Sequence, residues 1–250
     1  MEDFSAKTIV ITGAASGLGR AAATAFAERN ANLVIADMAA EGLTQLESEL
    51  RARGTQVLCS VVDLSTRRAC QALIDAAVKR FGGVDTLCNV AAMLGVGRVE
   101  NITEDSWNRL MAINLGAPFW LSQAALPSLM ARNGSIVNVA SSGGLRGQAY
   151  TVPYTASKAG LIHMTRSMAM EFMNKTVRIN AIAPGAMKTA GMGNTVFPED
   201  WERPLLERFM PLRAPVGPEV VADLMVYLAS ERASNIHGAC LASDGGASAD

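Results

Sequence analysis

The sequence has few of the residues that build metal sites and disulfide frameworks. Four cysteines occur in 250 residues without any C-x-x-C pair, and only two histidines accompany them. Zinc sites and disulfide frameworks use these residues in close, repeated spacings. The formal charge is -1 and the isoelectric point is about 6.2, so no excess of positive charge favours nucleic acid or an anionic membrane. We therefore expect no metal site, no nucleic-acid partner and no membrane partner.

The chain also lacks targeting, linker and repeat signals. Its start, MEDFSAKTIVITG, has no charged segment followed by an apolar stretch and a cleavage site, and no run of about 18 apolar residues occurs anywhere. No segment rich in proline, glycine and serine divides the sequence, and no repeat is visible. These absences predict a cytoplasmic protein with a single domain over residues 1–250.

Seven short apolar segments alternate with segments of helical length. They are KTIVITG, NLVIAD, QVLCSVVD, VDTLCNVA, GSIVNVAS, VRINAIAPG and GACLASDGG. Continuous apolar strands between helices are typical of a parallel sheet with both faces covered. The sequence therefore predicts the α/β class, with a doubly wound Rossmann-like fold, a parallel sheet of about seven strands and helices on both faces.

One segment interrupts this alternation. Residues 187–212, MKTAGMGNTVFPEDWERPLLERFMPL, have no clear period and contain three prolines. A long irregular segment in a compact domain is usually a functional loop or a disordered one. Its methionine and aromatic residues favour a lid that closes over an apolar ligand.

The first strand runs into a glycine-rich turn, TGAASGLGRA, that leads into a helix. Gly13, Gly17 and Gly19 let the backbone turn tightly and approach a pyrophosphate, while the helix offers free N–H groups. A turn between a strand and a helix also uses glycine for packing alone, so the pattern is not decisive by itself. Its position between strand and helix favours a dinucleotide site.

Two acidic residues follow at strand ends. Asp37 ends the second strand, close to the offset of about 20 residues at which an acid holds the adenosine ribose. Its charge repels a 2′-phosphate, and neither the glycine turn nor Met38 supplies an arginine to receive one, so we predict NAD rather than NADP. Asp63, at the end of the third strand, either contacts the adenine amine or caps the next helix.

The stretch VPYTASKAG places Tyr154 four positions before Lys158. Residues i and i+4 lie on one helix face, so the two polar groups share a site. One charge at about 4 Å in an effective dielectric near 20 contributes roughly 4 kcal/mol, or about three pKa units. We therefore expect the Lys158 ammonium to lower the pKa of the Tyr154 phenol toward neutrality, where a general acid or base is effective. The alternative is a half-buried ring beside a solvated amine.

Taken in order, the motifs resemble those of the short-chain dehydrogenase/reductase family over nearly the whole chain. They are TGAASGLG, DL at Asp63, NVAA at Asn89, INLGAPF with Asn114, VASS with Ser141, YTASK with Tyr154 and Lys158, and PGAMKT ending at Thr189. Their joint occurrence in this order is specific, although no single motif is. The family's usual Asn-Asn-Ala-Gly is replaced by Asn89-Val90-Ala91-Ala92, and the last alanine adds a methyl group near the adenosine side.

The resemblance implies a catalytic tetrad of Asn114, Ser141, Tyr154 and Lys158. Tyr154 would pass a proton to or from the substrate oxygen while hydride moves between substrate and nicotinamide. Lys158 would lower the phenol pKa and hydrogen-bond the nicotinamide ribose, and Ser141 would donate to the substrate oxygen. Asn114 either holds a water that links Lys158 to solvent or is a buried structural amide. Ser142 is the competing hydroxyl beside Ser141.

The resemblance also implies the cofactor contacts. In PGAMKT, the turn at Pro184 and Gly185 would let the backbone approach the nicotinamide ring, Met187 would contribute its N–H, and Thr189 would reach the carboxamide or the pyrophosphate. The full expected set is Gly13, Ser16, Gly17, Leu18, Gly19, Asp37, Asp63, Leu64, Asn89, Ala91, Tyr154, Lys158, Pro184, Gly185, Met187 and Thr189.

Together these residues predict an NAD(H)-dependent oxidoreductase that interconverts a secondary alcohol and a ketone, with Tyr154 as general acid/base. Two alternatives stay open, an NADPH-linked 3-ketoacyl-type reductase and a non-catalytic NAD(H)-binding sensor. The resemblance also suggests a homotetramer built through helices over residues 107–126 and 154–172. Walls of an apolar substrate pocket are expected from residues that packing or subunit contacts explain equally well: Met93, Leu94, Leu145, Val152, Met192, Phe197, Trp201, Phe209 and Met210.

Overall fold

The computed structural model of the protein describes residues 2–189, 201–207 and 213–249 of the chain. Within these residues, each of the seven predicted strand segments contains a strand. The strands are β1 Thr8–Thr12, β2 Asn32–Asp37, β3 Val57–Val61, β4 Thr86–Asn89, β5 Ser135–Val139, β6 Arg178–Pro184 and β7 Cys240–Ser243. They form one sheet in the order β3-β2-β1-β4-β5-β6-β7, with every neighbouring pair parallel. The predicted doubly wound, Rossmann-like α/β fold is confirmed.

The helices connect successive strands and cover both faces of this sheet. Their bounds are α1 Gly17–Ala27, α2 Ala40–Ala52, α3 Arg67–Phe81, α4 Glu104–Met111, α5 Ala117–Ala131, α6 Val152–Glu171, α7 Arg203–Glu207 and α8 Pro218–Ala229. Buried residues of α1, α2 and α8 form one core, and those of α3, α5 and α6 form a second core. The sheet therefore lies between two layers of helices.

Strand β1 shows why the strand sequences are apolar throughout. Ile9 and Ile11 belong to the core under α1, α2 and α8, whereas Val10 belongs to the core on the other face. Side chains alternate between faces along a strand, and all three are fully buried because helices cover both faces. Each such burial contributes about 1.5–3 kcal/mol relative to an exposed side chain.

The topology creates a crevice where the strand order reverses. The chain passes outward from β1 to β3 and then returns to β4, which pairs with β1 on its other side. Loops that follow β1 and β4 therefore diverge at the carboxyl edge of the sheet, which is where open α/β sheets bind ligands. The glycine turn and the NVAA segment both lie at this edge.

The long helix expected over residues 107–126 contains an irregularity. A π-helical turn, Ala112–Gly116, joins α4 to α5 and contains the buried residue Asn114. Turns of this kind occur frequently at functional sites. The wider helical turn places Asn114 beside the segment that follows β4, as its hydrogen bonds to Met93 show.

Two features of the described residues bear on partners and metals. No helix among them is both long and apolar enough to cross a membrane. The same residues contain no group of three or more histidine, cysteine, aspartate or glutamate side chains arranged to hold a metal ion.

Candidate active site

A cavity of about 470 Å³ opens at the carboxyl edge of the sheet. All of the predicted cofactor residues except Asp63 and Asn89 line it. Ser141 lines it as well, so the glycine turn, the strand ends and the start of α6 meet in one space. The lining residues that the sequence did not predict as site residues are Met38, Val62, Val90, Ala92, Ile113, Val139 and Ala140.

The three glycines of the turn have different reasons to be glycine. Gly13 has φ +67, and an added Cβ would lie 2.9 Å from the backbone nitrogen and Cα of Ala91. A Cβ on Gly19 would collide with the carbonyl oxygen of Gly13. These two positions are explained by close backbone packing alone. Gly17 differs, because a Cβ there would meet only the Thr189 side chain, at an ordinary contact distance of 3.6 Å. Its positive φ of +51 is therefore the reason for glycine at this position.

The start of α1 suits an anion. The helix begins at Gly17, its N-cap Ser16 makes no side-chain capping bond, and its first turn carries no acidic residue. The free N–H groups and the positive end of the helix dipole therefore face the cavity side without a competing carboxylate. A pyrophosphate is the type of group that such a helix start binds.

Thr12 holds this turn against the segment after β4, a role that the sequence analysis missed. Its hydroxyl oxygen accepts hydrogen bonds from the backbone N–H groups of Val90 and Ala91, both at 3.0 Å. The segment is thus anchored by its backbone. This explains how the chain accommodates Val90 in place of the family's usual asparagine.

Asp37 is fixed beside the glycine turn. One carboxylate oxygen accepts the Ala15 N–H at 2.9 Å, and the other accepts the Ala39 N–H at 3.0 Å. Each oxygen keeps a further lone pair, because a carboxylate can accept about four hydrogen bonds. The residue lines the cavity and can therefore receive ribose hydroxyl groups.

The predicted adenine contact of Asp63 stays a prediction. Its neighbours Val62 and Leu64 line the cavity, but Asp63 does not. The carboxylate pairs with Arg109 of α4 at 2.8 Å, and the hydrogen bond from this guanidinium is the main influence that holds the pKa of Asp63 below its usual value. The alternative capping role is wrong, because the N-cap of α3 is Thr66, which accepts the Ala69 N–H.

The predicted cofactor contact of Asn89 also stays a prediction. The residue is buried, and its amide donates to Asn138 Oδ1 at 2.8 Å. Asn138 in turn donates to Thr165 of α6 at 2.9 Å. The side chain therefore belongs to a polar network inside the protein that links β4, β5 and α6.

Tyr154 and Lys158 both line the cavity, as their spacing predicts. The Lys158 ammonium is buried, donates to the Val139 carbonyl at 2.8 Å and lies 5.8 Å from the centre of the Tyr154 ring. Burial lowers the pKa of Lys158 to about 8. The low polarity around the ammonium disfavours its charged form and so brings its pKa closer to neutral pH.

The expected lowering of the Tyr154 pKa is wrong. Burial raises the pKa of this phenol, and a hydrogen bond with Ser141 opposes the rise only in part. Desolvation is the dominant influence on the Tyr154 pKa. The Lys158 ammonium donates its hydrogen bond to the Val139 carbonyl instead of the phenol oxygen, so it does not offset this influence. In this environment Tyr154 is protonated at neutral pH and is suited to donate a proton.

Ser141, rather than Ser142, faces the reacting groups. Ser141 lines the cavity, hydrogen-bonds Tyr154 and accepts the Gly143 N–H at 3.1 Å. Ser142 is buried and does not line the cavity. The Gly143 N–H fixes the Ser141 hydroxyl as an acceptor on one side, which leaves its proton free to point toward a substrate or the phenol.

Asn114 is bound entirely to protein atoms. Its Oδ1 accepts the Met93 N–H at 2.8 Å, and its Nδ2 donates to the Met93 carbonyl at 2.9 Å and to the Ser157 hydroxyl at 3.1 Å. Ser157 then donates to the Tyr154 carbonyl at 2.7 Å. The amide thus joins the segment after β4 to the catalytic helix, while its predicted role in a water relay stays a prediction.

The segment after β6 is placed by backbone contacts. Pro184, Gly185, Met187 and Thr189 line the cavity, as predicted. A Cβ on Gly185 would lie 2.9 Å from Asp244, so this glycine allows the chain to pass close to the end of β7. The Lys188 N–H donates to the Val216 carbonyl at 2.8 Å.

Comparisons with known proteins agree with this arrangement. A family model described as Enoyl-(Acyl carrier protein) reductase matches residues 13–248. A 3-oxoacyl-acyl-carrier-protein reductase of Thermotoga maritima is 34% identical over 241 residues, which cover 96% of this chain and 97% of that protein. A cis-4-hydroxycyclohexanecarboxylate dehydrogenase of Sinomonas cyclohexanicum is 36% identical over 251 residues, with 98% of both chains covered. The solved structure of levodione reductase has a TM-score of 0.89 at 32% identity, covering 98% of this chain and 99% of its own.

This chain belongs to the short-chain dehydrogenase/reductase family. The resemblance carried by the sequence motifs is thereby confirmed. The predicted reaction class, interconversion of a secondary alcohol and a ketone by an oxidoreductase, is confirmed as well.

The residues around the cavity fit the nicotinamide cofactor that this short-chain dehydrogenase/reductase requires. The helix start at Gly17 offers an anion site, Asp37 offers ribose acceptors, and Gly185 permits close approach of the backbone. At the other end, Lys158 and Tyr154 lie together. The cavity thus has one part suited to a phosphate and another suited to proton transfer.

The expected substrate walls are only partly described by the structure. Met93 lines the cavity, whereas Leu94 and Leu145 are exposed. Val152 lies in a separate surface depression with Trp107, and Trp201 stacks on Tyr150. Most of the expected lid falls in residues 190–200 and 208–212, outside the described residues. The wall residues that lie there are Met192, Phe197, Phe209 and Met210.

Proposed function

We propose that the protein is an NAD(H)-dependent dehydrogenase or reductase that acts on secondary alcohols and the corresponding ketones. The observation that carries the cofactor preference is Asp37, whose carboxylate is fixed at the cavity by two backbone N–H groups. A 2′-phosphate beside this carboxylate would meet like-charge repulsion. Arg109 reaches the Met38 sulfur at 3.6 Å, but its charge is paired with Asp63.

In this proposal Tyr154 is the general acid and base. During carbonyl reduction the partly buried, protonated phenol donates its proton to the substrate oxygen, and Ser141 donates a hydrogen bond to the same oxygen as negative charge develops. The bound nicotinamide supplies the hydride in this direction and receives it in the other. Lys158, 5.8 Å from the ring centre, stabilises the phenolate that remains.

The raised pKa of Tyr154 predicts how each direction depends on pH. Reduction needs the protonated phenol, which persists through neutral pH because burial raises its pKa. Oxidation needs the phenolate as proton acceptor, so its rate is expected to increase as the pH rises through the alkaline range.

We further propose an alcohol with a largely apolar carbon framework as substrate. One similar protein is named for a hydroxylated cyclohexane ring, and levodione reductase is another relative. Met93, Val139 and Ala140 supply apolar lining to the cavity that Tyr154 also lines. A cytoplasmic location and a homotetramer remain part of the proposal, the latter from the family resemblance and from exposed apolar residues on α6 such as Val152 and Met170.

An assay of NADH formation tests the proposal. The purified protein is given NAD⁺ or NADP⁺ with cyclohexanol, cis-4-hydroxycyclohexanecarboxylate and meso-2,3-butanediol, and kcat/KM is compared between the two cofactors. We expect at least one alcohol to be oxidised, with a preference for NAD⁺ of about tenfold or more.

The same assay also tests a second candidate activity. The similarity to a 3-oxoacyl-acyl-carrier-protein reductase supports an NADPH-linked ketoacyl reductase as second candidate. Reduction of a 3-oxoacyl thioester with a clear preference for NADPH would favour that candidate. Binding of NADH without turnover of any alcohol, ketone or thioester would favour a non-catalytic sensor.

A further inference from the structure

Tyr150 has a backbone conformation that tyrosine rarely adopts. Its φ is +61, in the left-handed region that disfavours residues with a bulky side chain. The other non-glycine residues with positive φ in the described part of the chain are Ala6, Asn30 and Asn133. Alanine is small and asparagine tolerates this region, so Tyr150 is the unusual member. Strained residues persist where their surroundings over-determine them, and such positions cluster at functional sites.

The contacts of Tyr150 explain what holds it in this conformation. Its carbonyl accepts the Gly97 N–H at 2.8 Å, and its hydroxyl accepts the Glu202 N–H at 3.0 Å. Its ring stacks on Trp201, with centroids 4.1 Å apart and planes 17° from parallel. The Arg98 guanidinium lies 5.9 Å from the centre of the Tyr150 ring. One side chain therefore connects three separate stretches of the sequence.

Two of these stretches lie within four residues of the cavity lining in the sequence. Tyr150 lies four residues before Tyr154, and Thr151 between them is the N-cap of α6. Gly97 follows the segment that begins at Met93, a cavity residue bound by Asn114. Trp201 lies twelve residues after the cavity residue Thr189 in the sequence. Tyr150 itself does not line the cavity, so it can act only by placing its neighbours.

We propose that Tyr150 is a positioning residue that fixes Trp201 and Glu202 against the start of the catalytic helix and thereby determines substrate recognition. The glycine turn and Asp37 make no contact with Tyr150 among the described hydrogen bonds and ring contacts, so cofactor binding is independent of it. The proposal rests on the proposed function for its kinetic part, whereas the placement of Trp201 can be tested without any substrate.

The decisive variants form a matched pair. Tyr150→Gly removes the side chain and the backbone strain together. Ala6→Gly removes nearly the same strain, since φ of Ala6 is +62, at a position remote from the cavity lining. Tyr150→Phe removes only the acceptor for the Glu202 N–H and retains the stacked ring. Tyr150→Asn, which removes the ring and tolerates positive φ, replaces Tyr150→Gly if that variant folds poorly.

The first readout is the accessibility of the Trp201 indole. Acrylamide quenching is measured in a Trp107→Phe, Trp120→Phe background, in which Trp201 is the remaining tryptophan of the three in the sequence. Tyr150→Gly should raise the quenching constant about twofold or more, because stacking no longer shields the indole. Tyr150→Phe and Ala6→Gly should leave it nearly unchanged. An unchanged constant in Tyr150→Gly would overturn the proposal.

The second readout separates substrate recognition from chemistry and cofactor binding. For the alcohol with the highest kcat/KM in the panel, Tyr150→Gly should raise KM about tenfold, with kcat within about threefold and the NADH Kd within about twofold of wild type. Ala6→Gly should change none of them. A joint loss of NADH affinity and kcat would overturn the proposal in favour of general damage to the fold. If wild type binds NADH but oxidises no alcohol, the proposed function fails, and the quenching experiment alone decides the placement of Trp201.

Discussion

The glycine turn and the catalytic cluster are built in different ways. In the turn, Gly13 and Gly19 let backbone atoms approach one another, and Thr12 and Asp37 hold the loops through backbone N–H groups. In the cluster around Tyr154, buried polar side chains contact one another, and burial shifts the pKa values of Tyr154 and Lys158. The turn therefore works through shape and the cluster through electrostatics. A change in the turn should affect stability and binding together, whereas a change in the cluster should separate stability from activity.

The largest separation is expected for Tyr154→Phe. The variant keeps the buried ring and loses the proton donor, and general acid–base catalysis contributes about 10²–10⁴-fold to rate. We expect kcat for alcohol oxidation to fall by that factor while the NADH Kd measured by fluorescence is unchanged. A variant with kcat within about threefold of wild type would exclude Tyr154 as the proton donor.

The turn is tested by Gly13→Ala, with Gly54→Ala as its control. Both glycines have positive φ, but a Cβ at Gly54 meets no atom within 4 Å, whereas one at Gly13 meets the Ala91 backbone at 2.9 Å. Gly13→Ala should lower the free energy of unfolding by about 2–5 kcal/mol and weaken NADH binding, while Gly54→Ala should cost about 1 kcal/mol. Chemical denaturation measures both. Equal losses in the two variants would show that close backbone packing at Gly13 is unimportant.

Lys158→Met should make the protein more stable and inactive. The folded-state pKa of Lys158 is about 8, below its ordinary value of 10.5, so the folded state binds fewer protons between these pH values. Stability of wild type therefore rises with pH across this window, and at pH 7 the protein bears the full cost of a buried ammonium. After about 1 kcal/mol for the lost bond to Val139, the variant should gain about 2 kcal/mol at pH 7.

The advantage of Lys158→Met should disappear as the pH approaches 11, because wild-type Lys158 is then neutral in both states. Thermal unfolding of the two proteins at pH 7, 9 and 10.5 measures the difference. A variant that is less stable than wild type at pH 7 would contradict the burial of an unfavourable charge.

The smallest effect is expected for Ser157→Ala. Its hydroxyl accepts from Asn114 and donates to the Tyr154 carbonyl, and a typical hydrogen bond contributes about 0.5–1.5 kcal/mol. We expect kcat to fall by about tenfold or less, with the NADH Kd unchanged and activity regained in Ser157→Thr. A fall as large as that of Tyr154→Phe would mean that the hydroxyl takes part in proton transfer.

The same contrast explains what could be predicted from the sequence. Strand segments such as TIVIT and the pair Tyr154 and Lys158 depend on local periodicity, and the structure agrees with them. The pairing of Asp63 with Arg109 joins residues that are 46 positions apart, so no local sequence pattern indicates it. The direction of the Tyr154 pKa depends on the burial of the phenol, which the spacing of two residues does not specify.

Two further residues show where a sequence signal was present but not used. Thr12 ends a buried strand immediately before Gly13, and Ser157 lies between Tyr154 and Lys158 on the catalytic helix. Both hydroxyls bind backbone groups of the site. Polar residues within buried segments usually have such partners, but the sequence alone does not identify which ones.

The most direct test of the cofactor assignment is a fluorescence titration of wild type and Asp37→Ala with NADH and NADPH. Asp75→Ala, on the exposed side of α3, controls for removal of a negative charge elsewhere. We predict that wild type binds NADH about tenfold or more tightly than NADPH, that Asp37→Ala removes this preference, and that Asp75→Ala retains it. Equal binding of both cofactors by wild type, or an unchanged preference in Asp37→Ala, would contradict the role of Asp37.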